Sequence, residues 1–175
     1  MIDLAALREG ENTFHFRAGP EEIGLEEEGA VYRKPVNVEV RITRTGPTAT
    51  LVADIRTEVE RTCGRCLSTF REELRTEARE ALRIEGERAR IIDVEYEGNP
   101  GVMPGPAGSI SLDNIVREAI LVCSPMQPVC RPDCRGLCPV CGADRNKIDC
   151  GCETEEPHPA WDALRELAKK QKKGN

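Results

Sequence analysis

Val36-Asn37-Val38-Glu39-Val40-Arg41-Ile42-Thr43 alternates apolar and polar residues without a break. A period of two is the signature of a strand with one face buried and the other in water. Moving outward, Thr45-Gly46-Pro47 reads as a turn. Thr48 to Glu60 then places Ala49, Leu51, Ala53 and Ile55 on one side, so the two segments read as an antiparallel hairpin. Upstream, Phe14-His15-Phe16 reads as a short strand. Pro20-Glu21-Glu22-Ile23 reads as a helical turn with proline in its first positions.

Downstream, Ser68 to Glu85 carries two signals. Phe70, Leu74 and Ala78 have helical spacing, whereas Leu82 and Ile84 alternate. The segment is read as strand, and Ile91 to Tyr96 as one more short strand. Gly98 to Gly108 is too rich in glycine and proline for regular structure. Ser111 reads as the N-cap of a helix over Leu112 to Val122, with Ile115, Val116, Ala119, Ile120 and Leu121 on its apolar face. Pro125 and Pro128 stop it. Pro159 opens a terminal helix bearing Trp161, Leu164, Leu167 and Ala168 on one side.

The expected fold is therefore α+β. Its core is an antiparallel β-sheet or a partly open barrel, followed by a cysteine-rich block and a terminal helix. Residues 1–97 make the β core, 98–109 a loop, and 110–175 the helix, the cysteine block and the C-terminal helix, in one compact unit. The 175 residues are 39% apolar and 3% aromatic, so the core is built from Val, Ile, Leu and Ala. A metal would stabilise so thin a core, because its binding free energy adds to folding.

No apolar run reaches the roughly 20 residues needed to cross a bilayer, and residues 1–10 lack the pattern of a secretory signal. These features point to a cytoplasmic protein with no membrane partner. In a reducing compartment, nine cysteines argue for metal over disulfides, and an odd number would leave one thiol unpaired.

Two Cys-x-x-Cys pairs are present: Cys63-Gly64-Arg65-Cys66 and Cys138-Pro139-Val140-Cys141-Gly142. Two-residue spacing lets both thiolates reach one ion, and the glycine relaxes the turn. Cys130, Cys134, Cys150 and Cys152 lie around the second pair. Cys123, on the apolar helix, reads as a small buried hydrophobe. Eight cysteines remain, enough for two closed tetrahedral zinc sites. One division gives Cys138, Cys141, Cys150 and Cys152 to one ion and Cys63, Cys66, Cys130 and Cys134 to another. The other gives a single ion, held by the Cys138 and Cys141 pair with Cys130 or Cys134. Spacing alone does not choose between one structural zinc and two.

No catalytic constellation accompanies the cysteines. His15 sits between phenylalanines and reads as structural, and His158 between prolines. An all-cysteine set leaves no open coordination position for water. There is no phosphate-cradling glycine loop, no nucleophile elbow and no evident small-molecule site. The chain is therefore read as non-enzymatic. Glu26-Glu27-Glu28 reads as a solvated turn.

Residues 1–30 hold eight acids and two bases, and so account for the whole net charge of −6. A net acidic chain is not an obvious phosphate-backbone binder. Arg165, Lys169, Lys170, Lys172 and Lys173 complement a helix C-terminus.

Cys130-x-x-x-Cys134-Arg135-Gly136-Leu137-Cys138-Pro139-Val140-Cys141-Gly142-Ala143-Asp144-Arg145-Asn146, followed by Cys150-Gly151-Cys152, resembles the bacterial YceD family of large ribosomal RNA subunit accumulation proteins. Cys63-x-x-Cys66-Leu67 with Phe70, Leu121-Val122 before a proline-rich approach to Cys130, and the Pro159 helix agree with it. The likeness runs from Val36 to Lys170. Arg145 departs from the leucine common there, and His158-Pro159-Ala160 from Asp-Pro-Arg. The resemblance implies a factor for accumulation or processing of large-subunit ribosomal RNA, with precursor RNA or a ribosomal protein as partner. Some family members lack the cysteines, which implies that the metal stabilises and does not do the shared work. Competing expectations are a zinc-ribbon interaction module in another assembly, such as transcription, and a thiol redox protein using Cys63 and Cys66.

Overall fold

In the computed structural model, residues 1–86, 88–92 and 108–153 are described. The chain divides into two compact units, Met1–Gly64 with Ser68–Pro132, and Arg65–Leu67 with Asp133–Asn175.

The first unit contains β1 (Ile2–Asp3), a 3-10 turn at Leu4–Ala6, β2 (Gly10–Ala18), a 3-10 turn at Glu21–Ile23, and β3 (Ala30–Tyr32). Then follow β4 (Val36–Thr45), β5 (Thr48–Thr62), β6 (Thr69–Glu85), β7 (Arg88–Ile91), β8 (Ser109–Ile110) and the helix α1 (Asp113–Cys123). The main sheet has the order β2-β4-β5-β6-β7, with β3 added along the far end of β5. All its pairings are antiparallel. It is an open sheet and not a barrel. β1 and β8 form a separate two-stranded ladder.

The hairpin read from Val36 to Glu60 is present, and its register follows from the turn. Thr45 pairs with Thr48 across Gly46-Pro47. Gly46 has φ 59°, the left-handed conformation that a tight hairpin requires at its first central residue. The register places Val36, Val38, Val40 and Ile42 beside Ala49, Leu51, Ala53 and Ile55 on the buried face. β6 resolves the ambiguity of Ser68 to Glu85 in favour of strand. It pairs with the whole of β5, from Thr62↔Thr69 to Thr48↔Arg83. Its outward positions Arg71, Glu73, Arg75, Glu77 and Arg79 are all charged and exposed, while Leu74 and Leu82 are buried. Alternation over 17 residues overrides three apolar residues at helical spacing.

Helix α1 covers the buried face with Ile115, Val116 and Ile120 and packs on β6. It starts one residue later than the sequence implies. Leu112 is the N-cap, and Ser111 Oγ hydrogen-bonds Asp113 Oδ2 at 2.8 Å. The helix ends at an extended Ser124 whose N–H donates to Ile120 O at 3.1 Å. Cys123 is exposed, not buried, because it falls on the side of α1 turned away from the core. The strand expected over Ile91 to Tyr96 comes earlier, as β7, and its remainder lies outside the described residues, as do the loop from Gly98 to position 107, His158, the basic tail and the terminal helix. No described helix is long and apolar enough to cross a membrane.

Glu27 is no solvated bystander. Arg61, 2% exposed on the inner face of β5, donates from Nη1 to Glu27 Oε1 at 2.5 Å and from Nη2 to Ser124 Oγ at 2.7 Å. Its Nε lies 3.1 Å from Glu72 Oε1 without the alignment of a hydrogen bond. Tyr32 and Ser124 hydroxyls donate to Glu27 Oε2 at 2.5 and 3.0 Å. Burial would push the Glu27 carboxyl up, but the hydrogen bonds from Arg61, Tyr32 and Ser124 outweigh it and hold the carboxyl below its usual range. Burial, then the hydrogen bond to Glu27, pushes the Tyr32 phenol up to about 12. A buried arginine is tolerated because two carboxylates meet its charge and both terminal nitrogens are hydrogen-bonded.

Candidate metal centres

The second unit is tied by backbone hydrogen bonds around two tight turns. Leu137 N–H donates to Arg65 O at 3.0 Å, and Arg65 Nη1 donates to Cys134 O at 3.2 Å. Gly136 has φ 71°, and a Cβ there would stand 3.1 Å from Arg65 O. The close approach and the left-handed backbone both call for glycine. Within the Cys138 turn, Cys138 N–H donates to Ala143 O at 2.8 Å, and Gly142 N–H to Cys138 O at 2.9 Å. Gly142 follows the second cysteine with φ 73°. In the other Cys-x-x-Cys segment the equivalent residue is Leu67, with φ 57°. The same turn is thus built once with glycine and once with a strained leucine.

The structure gathers the eight cysteines into two groups. The thiol sulfurs of Cys63, Cys66, Cys130 and Cys134 lie within 4.8 Å of one another, and so do those of Cys138, Cys141, Cys150 and Cys152. This is the two-site division. Cys63, Cys66, Cys134 and Cys138 are buried, Cys130, Cys150 and Cys152 half-buried, and Cys141 exposed.

The donor sets suit a metal. Zn–S bonds of about 2.3 Å in a tetrahedron separate sulfurs by about 3.8 Å, compatible with both groups. Backbone N–H groups of Cys141 and Val140 point at the Cys138 sulfur and draw its thiol down to about 6. Cys152, hydrogen-bonded to Cys141 and Cys150, is pushed up to about 12. Of these two thiols, Cys138 gives up its proton readily and Cys152 holds on to its own. Binding a divalent ion would release those protons. Both groups can therefore hold a metal ion. The burial of Cys63 and Cys66 disfavours a redox pair, which needs an accessible thiolate.

Asn146 is a residue that spacing did not single out. Its Nδ2 donates to Cys134 Sγ at 3.4 Å and to Asp144 Oδ1 at 2.7 Å, and its Oδ1 accepts from Arg135 N–H at 2.8 Å. It orients a ligand sulfur from outside the ligand set. The available signal was the Asp144-x-Asn146 turn chemistry after the Cys138 pair.

An open antiparallel sheet and two cysteine tetrads in one chain define a cysteine-rich β protein. The family model described as "Large ribosomal RNA subunit accumulation protein YceD" matches residues 51–168, and the chain belongs to that family. Uncharacterized proteins of Mycobacterium bovis and Mycobacterium tuberculosis are each 26% identical to it, over 93% of this chain and 74% of theirs. One of Mycobacterium leprae is 22% identical, over 83% of this chain and 64% of its own. No solved structure matches.

Proposed function

We propose that this chain is a non-enzymatic ribosome-biogenesis factor that promotes accumulation or processing of large-subunit ribosomal RNA in the cytoplasm. The observation that carries this reading is the match of the family model across residues 51–168. Two zinc ions serve as structural staples, one on Cys63, Cys66, Cys130 and Cys134, the other on Cys138, Cys141, Cys150 and Cys152. Four thiolates saturate a tetrahedral ion and leave no position for substrate or water. The working surface therefore lies elsewhere, with precursor ribosomal RNA or a ribosomal protein as partner. Depleting the protein should lower large-subunit relative to small-subunit ribosomal RNA, measured on total RNA. An unchanged ratio would contradict the proposal.

A further inference from the structure

The strand register places three arginines and an asparagine in one row across the exposed face of the sheet. Arg17 of β2 faces Asn37 of β4, Asn37 faces Arg56 of β5, and Arg56 faces Arg75 of β6. All four are exposed. Strand spacing makes this rung roughly 14 Å long. Like charges directly opposite each other, as at Arg56 and Arg75, destabilise a sheet. Arg75 is compensated by Glu73 at 2.8 Å. Among the described residues, Arg17 and Arg56 form no ion pair.

The next rung is His15, Glu39, Asp54 and Glu77. Two of its carboxylates are occupied, Asp54 by Arg41 at 2.7 Å and Glu77 by Arg79. Glu39 has no such partner among the described residues. A depression of about 330 Å³ brings Arg17, Asn37, Arg56, His15, Glu39 and Asp54 to its walls. A second, of about 320 Å³, continues from Arg56 to Arg75.

We propose that this face binds a single-stranded RNA backbone, with Arg17 and Arg56 on its phosphates, Asn37 between them and Glu39 accepting from a ribose 2′-hydroxyl. The inference rests on the ribosomal-RNA reading above and names the surface for it. Unpaired guanidiniums are the groups that hold phosphates. A free carboxylate beside them repels a bare polyanion, but it accepts from the hydroxyl that distinguishes RNA from DNA. The row is also longer than one phosphate, so it suits a chain over a single anion.

The test is fluorescence anisotropy of the full chain with a labelled single-stranded ribo-oligonucleotide, its deoxyribo counterpart and polyglutamate. Arg17→Gln/Arg56→Gln should weaken RNA binding about tenfold, and lower the slope of log affinity against log salt by about 1.4, two contacts' worth. Arg8→Gln/Arg117→Gln, with the same charge change off the rung, should bind as the parent does. Glu39→Gln should shrink the preference for RNA over DNA. Should the double variant not fold, Arg17→Gln on the edge strand carries the test with half the slope change. RNA affinity indifferent to the rung, or a rung needed for polyglutamate and not for RNA, would overturn the proposal. Rung-independent RNA binding with a depletion effect intact would refute this surface alone. Rung-dependent binding with an unchanged ribosomal RNA ratio would refute the functional reading alone.

Discussion

In the sheet, Val36, Val40, Ile42, Leu51, Ala53, Ile55, Val59 and Leu82 are fully buried, and helix α1 adds Ile120. Between residues 133 and 153, the buried residues are Cys134, Gly136 and Cys138. Of the large aliphatics there, Leu137 is half-buried, and Val140 and Ile148 are each 59% exposed. The two regions therefore need different sources of stability. The sheet excludes water from aliphatic surface, worth about 25 cal/mol per Å². The cysteine region has almost no such surface, and short polar turns do not hold themselves together against chain entropy. Thiols stand where that core is missing, and in the proposed reading a bound cation holds them together.

The largest effect should come from removing a ligand. Cys138→Ser should forfeit binding energy on the order of 10 kcal/mol and unfold residues 133–153. Hydrogen exchange should show protection lost at the Cys138 and Arg145 amides, which donate to Ala143 O and Gly136 O. Protection at Val40 and Leu51 should persist. Equal loss in both regions would break the comparison.

Arg61→Ala attacks the sheet unit at its charged, not its aliphatic, support. It leaves Glu27, whose side chain is 18% exposed, without its cation. Breaking such a pair costs about 3–5 kcal/mol, to be read from urea unfolding followed at the sheet, with the metal content of the protein unchanged.

Acid should separate the regions by pH. The Glu27 carboxyl lies below its ordinary value of 4.5 in the folded chain. Its stabilisation is therefore present above the unfolded value and lost as pH falls through the folded one. Metal-bound thiolates face proton competition from higher pH. Titration downward, followed by metal release and by far-ultraviolet dichroism, should empty the cysteine sites before the sheet melts.

The smallest effect sharpens the comparison of the two turns. Leu67→Gly removes left-handed strain from a side chain that is 63% exposed. It should raise the melting temperature of the metal-loaded protein slightly, by up to about 1 kcal/mol of stability. Gly142→Ala should do the reverse.

The sheet was legible because alternation from Val36 to Thr43 and the Gly46-Pro47 turn are local signals. The Cys-x-x-Cys pairs were legible for the same reason. The grouping of Cys63 and Cys66 with Cys130 and Cys134 was one of two divisions that spacing left open, since more than 60 residues separate the pairs and only the fold brings them together. Glu27 was misread because its partner Arg61 lies 34 positions away. The burial of that arginine on a mostly apolar strand face, where Thr57 is the other polar residue, gave no advance sign. Cys123 was misread because an apolar helix does not announce which side meets the sheet. The arginine rung was invisible for another reason: a net charge of −6 averages over faces that strand register keeps apart.

The central claim is that two closed tetrads of cysteine, not one, hold metal. Zinc per chain, measured by native mass spectrometry on the purified full-length protein, tests it most directly. The account predicts two ions, falling to one when Cys138 and Cys141 are both replaced by serine. One ion or none in the parent protein would contradict it.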